Sequence, residues 1–333
     1  MIISKTPHRI SFFGGGTDYP EYYLKHGGKV IGAAIDKYCY LSVRRLPPFF
    51  SHKHRIVYSK TENVSSADEI QHPSVRAVMK YLNIDYGISI NHDGDIPARS
   101  GMGSSSAFTA GLLKSLYALE GKLISKEELA RQSIIVEQQI IMENVGSQDQ
   151  TFAAHGGFNM IEFCRNGEII VEPLIISPSR LEELENSLML FYTGLSRYSS
   201  EIAEEQVKNM GINLETLHLM KNNVDRAVEI ITDENVGLSR LGTLFDQAWS
   251  MKKMLSARIS NELIDRKYQD ALAAGALGGK ILGAGGGGFL LFFVPPEKKN
   301  KVRAAISDLL EVPFKFEFSG SQIIVYKPYR ETP

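Results

Sequence analysis

Ile96-Pro97-Ala98-Arg99-Ser100-Gly101-Met102-Gly103-Ser104-Ser105-Ser106-Ala107 is the segment around which the rest of the chain is arranged. Its two glycines allow backbone to approach a ligand closely, and a helical pattern begins directly after them and runs to Leu119. The start of such a helix presents free N–H groups and the positive end of its dipole, which suits a phosphate chain. Serine hydroxyls in the first turn can add hydrogen bonds or ligate a cation. The same residues would also serve as a serine-capped helix after a turn, and local physics leaves the two readings level. No G-x-x-x-x-G-K-[ST] loop occurs anywhere, nor the Gly-rich loop, H-R-D and D-F-G set of protein kinases.

On the N-terminal side the chain reads as strands, at Val30–Leu46, Arg55–Ser59 and Ile88–Asn91, with a helix at Pro73–Leu82. On the C-terminal side a helix is expected from Lys126 to Glu143, opened by a capping box of Ser125 and Glu128. Strands resume at Phe158–Phe163 and Ile169–Leu174. Helical periodicity covers Ser199–Asn209, Leu214–Asp233, Val236–Arg258 and Asn261–Ala274. The end reads as a strand at Phe289–Val294, a helix at Glu297–Leu310, and a closing hairpin of Val312–Phe318 with Gln322–Tyr326. The fold class is therefore α+β, and Pro173–Ser187 holds the domain boundary.

With 333 residues, 43% apolar and 23% charged, the chain can bury one large core or two. A net charge of -1 gives no basic field for nucleic acid and no basic tail for lipid headgroups. The two cysteines, Cys39 and Cys164, form no ligand-spaced pair, which suits a reducing, cytoplasmic setting. Neither a signal-like leader nor a membrane span is expected.

Two further segments stand out. Leu282-Gly283-Ala284-Gly285-Gly286-Gly287-Gly288-Phe289 matches G-x-G-x-x-G, but a strand follows where a dinucleotide fold needs a helix, and Arg303 lies where it needs an acid. Glycine is costly to order, so this run points instead to a close backbone contact with another domain or a ligand. Pro7-His8-Arg9-Ile10-Ser11-Phe12-Phe13-Gly14-Gly15-Gly16-Thr17-Asp18-Tyr19 leads from an apolar strand into a glycine turn and ends on a carboxylate. Alone, Asp18 reads equally as a turn cap and Arg9 as a surface charge.

Together, and in this order, the three segments resemble the motifs of the GHMP kinases, over essentially the whole chain. The middle form P-x-x-x-G-x-G-S-S-S-A is the specific one. The N-terminal R-I-S-F-F-G-G-G-T-D-Y-P is most similar to that of the D-glycero-D-manno-heptose 7-phosphate kinases. The resemblance implies two domains: residues 1–176, like the second domain of ribosomal protein S5, and residues 177–333, ferredoxin-like. ATP, Mg²⁺ and a sugar phosphate would meet in the cleft between them. The implied reaction is phosphorylation of the anomeric hydroxyl of heptose 7-phosphate to the 1,7-bisphosphate, for a nucleotide-activated heptose of bacterial surface polysaccharide. Another sugar of fucose or mannose type, or a non-catalytic sugar-sensing relative, are the alternatives.

Residue by residue, the resemblance puts Gly101, Met102, Gly103, Ser104, Ser105 and Ser106 at the ATP phosphates. It puts Ser105 and Glu137 at Mg²⁺. Asp149, in Gly146-Ser147-Gln148-Asp149-Gln150, matches the catalytic aspartate of galactokinase, and Arg9 its arginine partner. Gly15, Gly16, Thr17 and Asp18 fall at the substrate, and Gly283, Gly285, Gly286 and Gly287 at the cleft. Where galactokinases read G-E-H-T-D, this chain reads Gly14-Gly15-Gly16-Thr17-Asp18. Losing a carboxylate and two side chains suits a longer or phosphorylated sugar. Arg44, Arg45, Lys53, Arg55 and Arg197 are the candidate cations for that second phosphate, although for any one of them solvated surface charge is the favoured reading.

Overall fold

The computed structural model describes residues 1–195 and 199–329, with Ser199 and Ser200 described by backbone alone. In chain order the elements are β1 (Ile2–Phe13), α1 (Pro20–His26), β2 (Gly28–Arg45), β3 (His54–Val57), β4 (Thr61–Val64), α2 (Pro73–Tyr81), β5 (Ile88–Gly94), α3 (Ser104–Leu119), α4 (Lys126–Ile135), α5 (Gln148–His155), β6 (Phe158–Phe163) and β7 (Ile169–Pro173). There follow α6 (Pro178–Asn186), β8 (Leu188–Tyr192), α7 (Ser199–Lys208), α8 (Leu214–Thr232), α9 (Ser239–Met254), α10 (Glu262–Ala273), β9 (Gly278–Ile281), β10 (Phe289–Phe293), α11 (Lys299–Ala305), β11 (Leu310–Glu311) and β12 (Gln322–Tyr326).

The long strand β2 organises the first sheet. β1 pairs with it along nearly its whole length, while its other edge is shared between β5, at Cys39–Arg45, and β6, at Gly28–Ala33. The order β12-β1-β2-β5-β3-β4, with β6 and β7 branching from β2, is antiparallel except for the parallel β3/β5 pair. Helix α3 lies across β1 and β2 and is buried on most sides, which explains its apolar and small residues. The second sheet, β11-β8-β10-β9, is antiparallel, and its strand β10 is buried throughout.

The two sheets are fused through a shared core. Ile10, Phe12, Ile31 and Ile35 of the first sheet pack with Leu190, Phe289 and Leu291 of the second and with Phe245 of α9. Phe13 stacks on Phe245 at 4.6 Å, and Phe12 meets the same ring edge-on at 5.7 Å. Each such pair contributes about 0.5–1.5 kcal/mol beyond its buried area. An apolar interface of this kind holds the two sheets in one orientation.

Several expectations need correction. α4 stops at Ile135, and Val136–Ile140 form a π turn instead of continuing the helix to Glu143. Helices α1, α5 and α6 and strand β8 were not expected. The closing hairpin does not form: β12 pairs with β1, and Phe316 makes only an isolated bridge to Ile35.

The glycine run has a clear cause. A Cβ on Gly283 would stand 2.5 Å from Gly101 Cα, and one on Gly101 would stand 2.6 Å from Leu282 O. Both residues have positive φ, at 68° and 79°. The two glycine loops therefore touch backbone to backbone, and this contact forms one wall of the cleft described next.

Candidate active site

The cleft opens at the start of α3. Gly103, in left-handed geometry with φ 74° and ψ 28°, precedes the helix, so the first-turn N–H groups at Ser104, Ser105 and Ser106 point away from any helical acceptor. Ser104 Oγ accepts from Arg99 N–H at 3.2 Å and fixes the turn. Gly101, Gly103 and all three serines line the cleft. Met102 does not: its side chain is buried in the shared core, and its carbonyl accepts from Arg9 N–H at 3.2 Å.

Behind the serine turn lies Glu137, fully buried. Ser106 Oγ donates to its Oε2 at 2.8 Å, and Gln150 Nε2 donates to the same oxygen at 2.5 Å. Its Oε1 has no well-formed hydrogen bond, although the Thr109 hydroxyl lies close enough to lend it a weak one. Burial pushes the carboxyl up to about 7, against the pull of the Ser106 hydrogen bond. The π turn gives Glu137 its place, since it interrupts the helix within this short stretch. The serine that meets Glu137 is Ser106. Ser105, expected with Glu137 at Mg²⁺, lies on the exposed side of the turn and lines the cleft.

Arg9 on β1 reaches across to Asp149 in the first turn of α5. Its Nε donates to Oδ1 at 2.8 Å and its Nη2 to Oδ2 at 2.6 Å, while Nη1 donates to Gly101 O at 2.7 Å. The guanidinium thus ties the aspartate to the glycine loop. The arginine side chain is 5% exposed and the aspartate 26%, so the carboxylate faces the cleft with its charge already matched.

Asp18 is buried beside them. It accepts from Gly16 N–H at 2.9 Å and from Gln148 Nε2 at 3.0 Å and N–H at 3.3 Å. Burial raises its pKa, and the Asp149 charge adds to the rise. Gly15, Gly16 and Asp18 line the cleft, whereas Thr17 does not. The Thr17 hydroxyl donates to Gly14 O at 2.8 Å and Lys29 O at 2.9 Å, which staples the loop to β2. Gly283 lines the cleft, but Gly285, Gly286 and Gly287 pack behind it. For Gly285 and Gly287 the close neighbours are Ile259 and Leu195.

Two buried lysines that were not expected complete the wall. Lys252 of α9 donates from Nζ to Ile281 O at 3.2 Å and to Gly283 O. Burial, and then the Arg9 charge, lower it to about 7. Lys280 of β9 donates to Phe12 O at 2.9 Å and is lowered well below the usual lysine value by burial and by Lys252. The first carried a visible signal: Phe245, Ala248, Trp249 and Lys252 are spaced i, i+3, i+4, i+7, which puts the lysine on the apolar stripe. The second is the charge in a strand buried at every position. The cations expected instead are elsewhere: Arg44, Arg45, Lys53 and Arg55 do not line the cleft, and Arg45 pairs with Glu120 at 3.2 Å. Arg197 lies outside the described residues.

A helix start able to bind phosphate, facing an arginine-matched carboxylate, suits phosphoryl transfer to a small hydroxyl compound. Known proteins agree. The family profile "GHMP kinases N terminal domain" matches residues 72–157, and "GHMP kinases C terminal" matches 236–312. The D-glycero-alpha-D-manno-heptose 7-phosphate kinase of Campylobacter jejuni subsp. jejuni serotype O:2 is 30% identical over 295 residues, covering 85% of this chain and 86% of its own. Among solved structures, a D-glycero-D-manno-heptose 1-phosphate kinase from Bacteroides thetaiotaomicron superposes with a TM-score of 0.79 at 24% identity, covering 99% and 100% of the two chains. A putative sugar kinase from Campylobacter jejuni gives 0.70 at 26% identity, covering 97% and 98%. Fold and cleft together define a small-molecule kinase. The chain belongs to the GHMP kinase family and is an ATP-dependent phosphotransferase with an alcohol group as acceptor.

Proposed function

We propose that this protein phosphorylates the anomeric hydroxyl of D-glycero-D-manno-heptose 7-phosphate, in the cytoplasm, on the way to a nucleotide-activated heptose for surface polysaccharide. The observation that carries the reading is the 30% identity with the Campylobacter heptose 7-phosphate kinase across 86% of that protein. The glycine turn at Gly15 and Gly16, open at the cleft, supports a phosphorylated acceptor over galactose.

In this reading the N–H groups from Gly101 to Ser106 hold the ATP phosphates. Asp149 takes or orients the proton of the anomeric hydroxyl, and Arg9 holds that carboxylate aimed through two hydrogen bonds. The acceptor oxygen forms a bond to the γ-phosphorus as the bond to the β,γ-bridging oxygen breaks, and ADP leaves. An anomeric hydroxyl is more acidic than an ordinary alcohol, so a modest base suffices. Asp18, Gly15 and Gly16 hold the sugar.

Among the described residues no group of three or more His, Cys, Asp or Glu is arranged to hold a metal. Mg²⁺ asks less, usually one or two protein oxygens beside substrate phosphates. Glu137 fits this demand, since its Oε1 is buried with no well-formed hydrogen bond and Ser106 stands on its other oxygen. Glu137 and Ser106 would hold Mg²⁺, which when bound would neutralise charge on the transferring group. The same reading divides the chain into units 1–176 and 177–333.

The test is ATP turnover with heptose 7-phosphate, free heptose, mannose, fucose and galactose at one ATP concentration. Heptose 7-phosphate is expected to give the highest kcat/KM. A clear preference for fucose or galactose refutes the heptose assignment and leaves the kinase assignment standing.

A further inference from the structure

We propose that Lys252 and Lys280 form the subsite that holds the phosphate already carried by the acceptor. This rests on reading the acceptor as a sugar phosphate. Three cationic side chains, Arg9, Lys252 and Lys280, and two carboxylates, Asp18 and Asp149, meet at this end of the cleft. Arg9 and Asp149 cancel each other. Asp18 is satisfied by N–H donors and is biased towards its neutral form by burial. Among the described residues neither lysine forms an ion pair; each ammonium donates only to backbone carbonyls.

An ammonium has three donors. Lys252 uses two and Lys280 one, so one and two remain. A neutral sugar would leave both charges buried and uncompensated, whereas a phosphate dianion compensates them and takes the spare N–H groups. The charges that act on Lys252 are Arg9, Asp18 and Asp149, and those that act on Lys280 are Lys252, Arg9 and Asp18, the groups gathered at the acceptor end of the cleft. The lysines come from α9 and β9 and line the same cleft as the start of α3.

Two measurements test the assignment. In the first, kcat and KM are compared for heptose 7-phosphate against free heptose, and for mannose 6-phosphate against mannose, in wild type, Lys252→Met, Lys280→Met and Lys252→Arg. The Met variants are expected to raise KM for the phosphorylated acceptors about tenfold or more relative to the free sugars, with the loss falling on acceptor KM more than on ATP KM or kcat. Lys252→Arg is expected to recover part of it. The second uses wild type alone, so it does not depend on a variant folding. At pH 8, where a phosphate monoester is already a dianion, heptose 7-phosphate is titrated into the MgADP complex in two buffers of different ionisation heat. Net proton uptake is expected, because the dianion recharges lysines that burial has partly discharged. Equal loss for phosphorylated and free acceptors, a loss confined to ATP, or no proton uptake would overturn the subsite. Wild type without any preference for phosphorylated sugars overturns the acceptor reading and the subsite with it. A wild-type preference that survives in both Met variants overturns the subsite alone.

Discussion

Arg9 and Asp149, 140 residues apart, face each other through two parallel hydrogen bonds of 2.8 and 2.6 Å, and the third arm of the guanidinium is tied to Gly101 O. The carboxylate is thereby fixed relative to the loop that meets the nucleotide. Asp149→Asn keeps the size of the side chain and removes its charge. It is expected to lower kcat about 10²–10⁴-fold while leaving ATP-analogue binding close to wild type. Steady-state rates and equilibrium titration of a non-hydrolysable ATP analogue check this, and near-normal turnover would remove Asp149 from the mechanism.

The contact between Ser106 and Glu137 separates neighbouring serines. Ser106→Ala and Glu137→Gln are expected to raise the Mg²⁺ concentration needed for half-maximal rate, and Ser105→Ala to raise it less. Metal titrations at fixed ATP read this directly. Superimposable curves for Ser106→Ala and wild type would exclude the hydroxyl as a ligand.

Buried Lys252 makes stability depend on pH with a definite sign. Its folded value is lowered to about 7 from the ordinary 10.5, so between these values the unfolded chain binds the extra proton. Stability from this group therefore rises as pH increases from about 7 towards 10. Lys252→Met is expected to flatten that slope and to raise the melting temperature at neutral pH by a few degrees. Calorimetry from pH 7 to 9.5 tests both, and an unchanged slope would mean the ammonium is not desolvated.

Gly283→Ala forces a Cβ to within 2.5 Å of Gly101 Cα at a residue of positive φ. Backbone on the other side cannot turn away as a flexible side chain would. A cost of about 1–3 kcal/mol is expected, seen as a melting temperature lower by several degrees. Retention of full stability would show that the two loops can part freely.

Lys53, just before β3, and Arg55, on β3, are exposed and outside the cleft, at the edge of the sheet closed by β4. Lys53→Ala and Arg55→Ala are expected to leave KM for heptose 7-phosphate within about twofold of wild type, as for surface substitutions generally. A tenfold rise in either would place the acceptor phosphate at that edge.

What the sequence revealed follows from how local each signal is. The start of α3 was legible because glycine, serine and the apolar run after them act over one turn. The pairing of Arg9 with Asp149 came from likeness to other kinases, since no periodicity connects residues so far apart. Helix α5 escaped because it has no apolar stripe: Gln148, Gln150 and Thr151 are buried polar residues next to buried Phe152 and Ala153. Which of the three serines faces Glu137 is a question of rotation about a helix axis, which three identical letters cannot answer. Lys252 was readable in principle, for a lysine on an otherwise apolar face announces its burial. The false hairpin arose because two nearby strand-like segments were assumed to pair, when the partner of the second was the strand at the opposite end of the chain.

That distant pairing has its own consequence. Since β12 pairs with the free side of β1 at Ile2–Lys5, everything between β7 and β12 is, topologically, an insertion within the first sheet. A polypeptide cut near residue 176 would leave Ile2–Lys5 of β1 with a row of unanswered N–H and C=O groups, an invitation to stick to its neighbours. The same logic governs synthesis on the ribosome. The first sheet cannot be sealed until residues 322–326 have emerged, so the half made first is finished last.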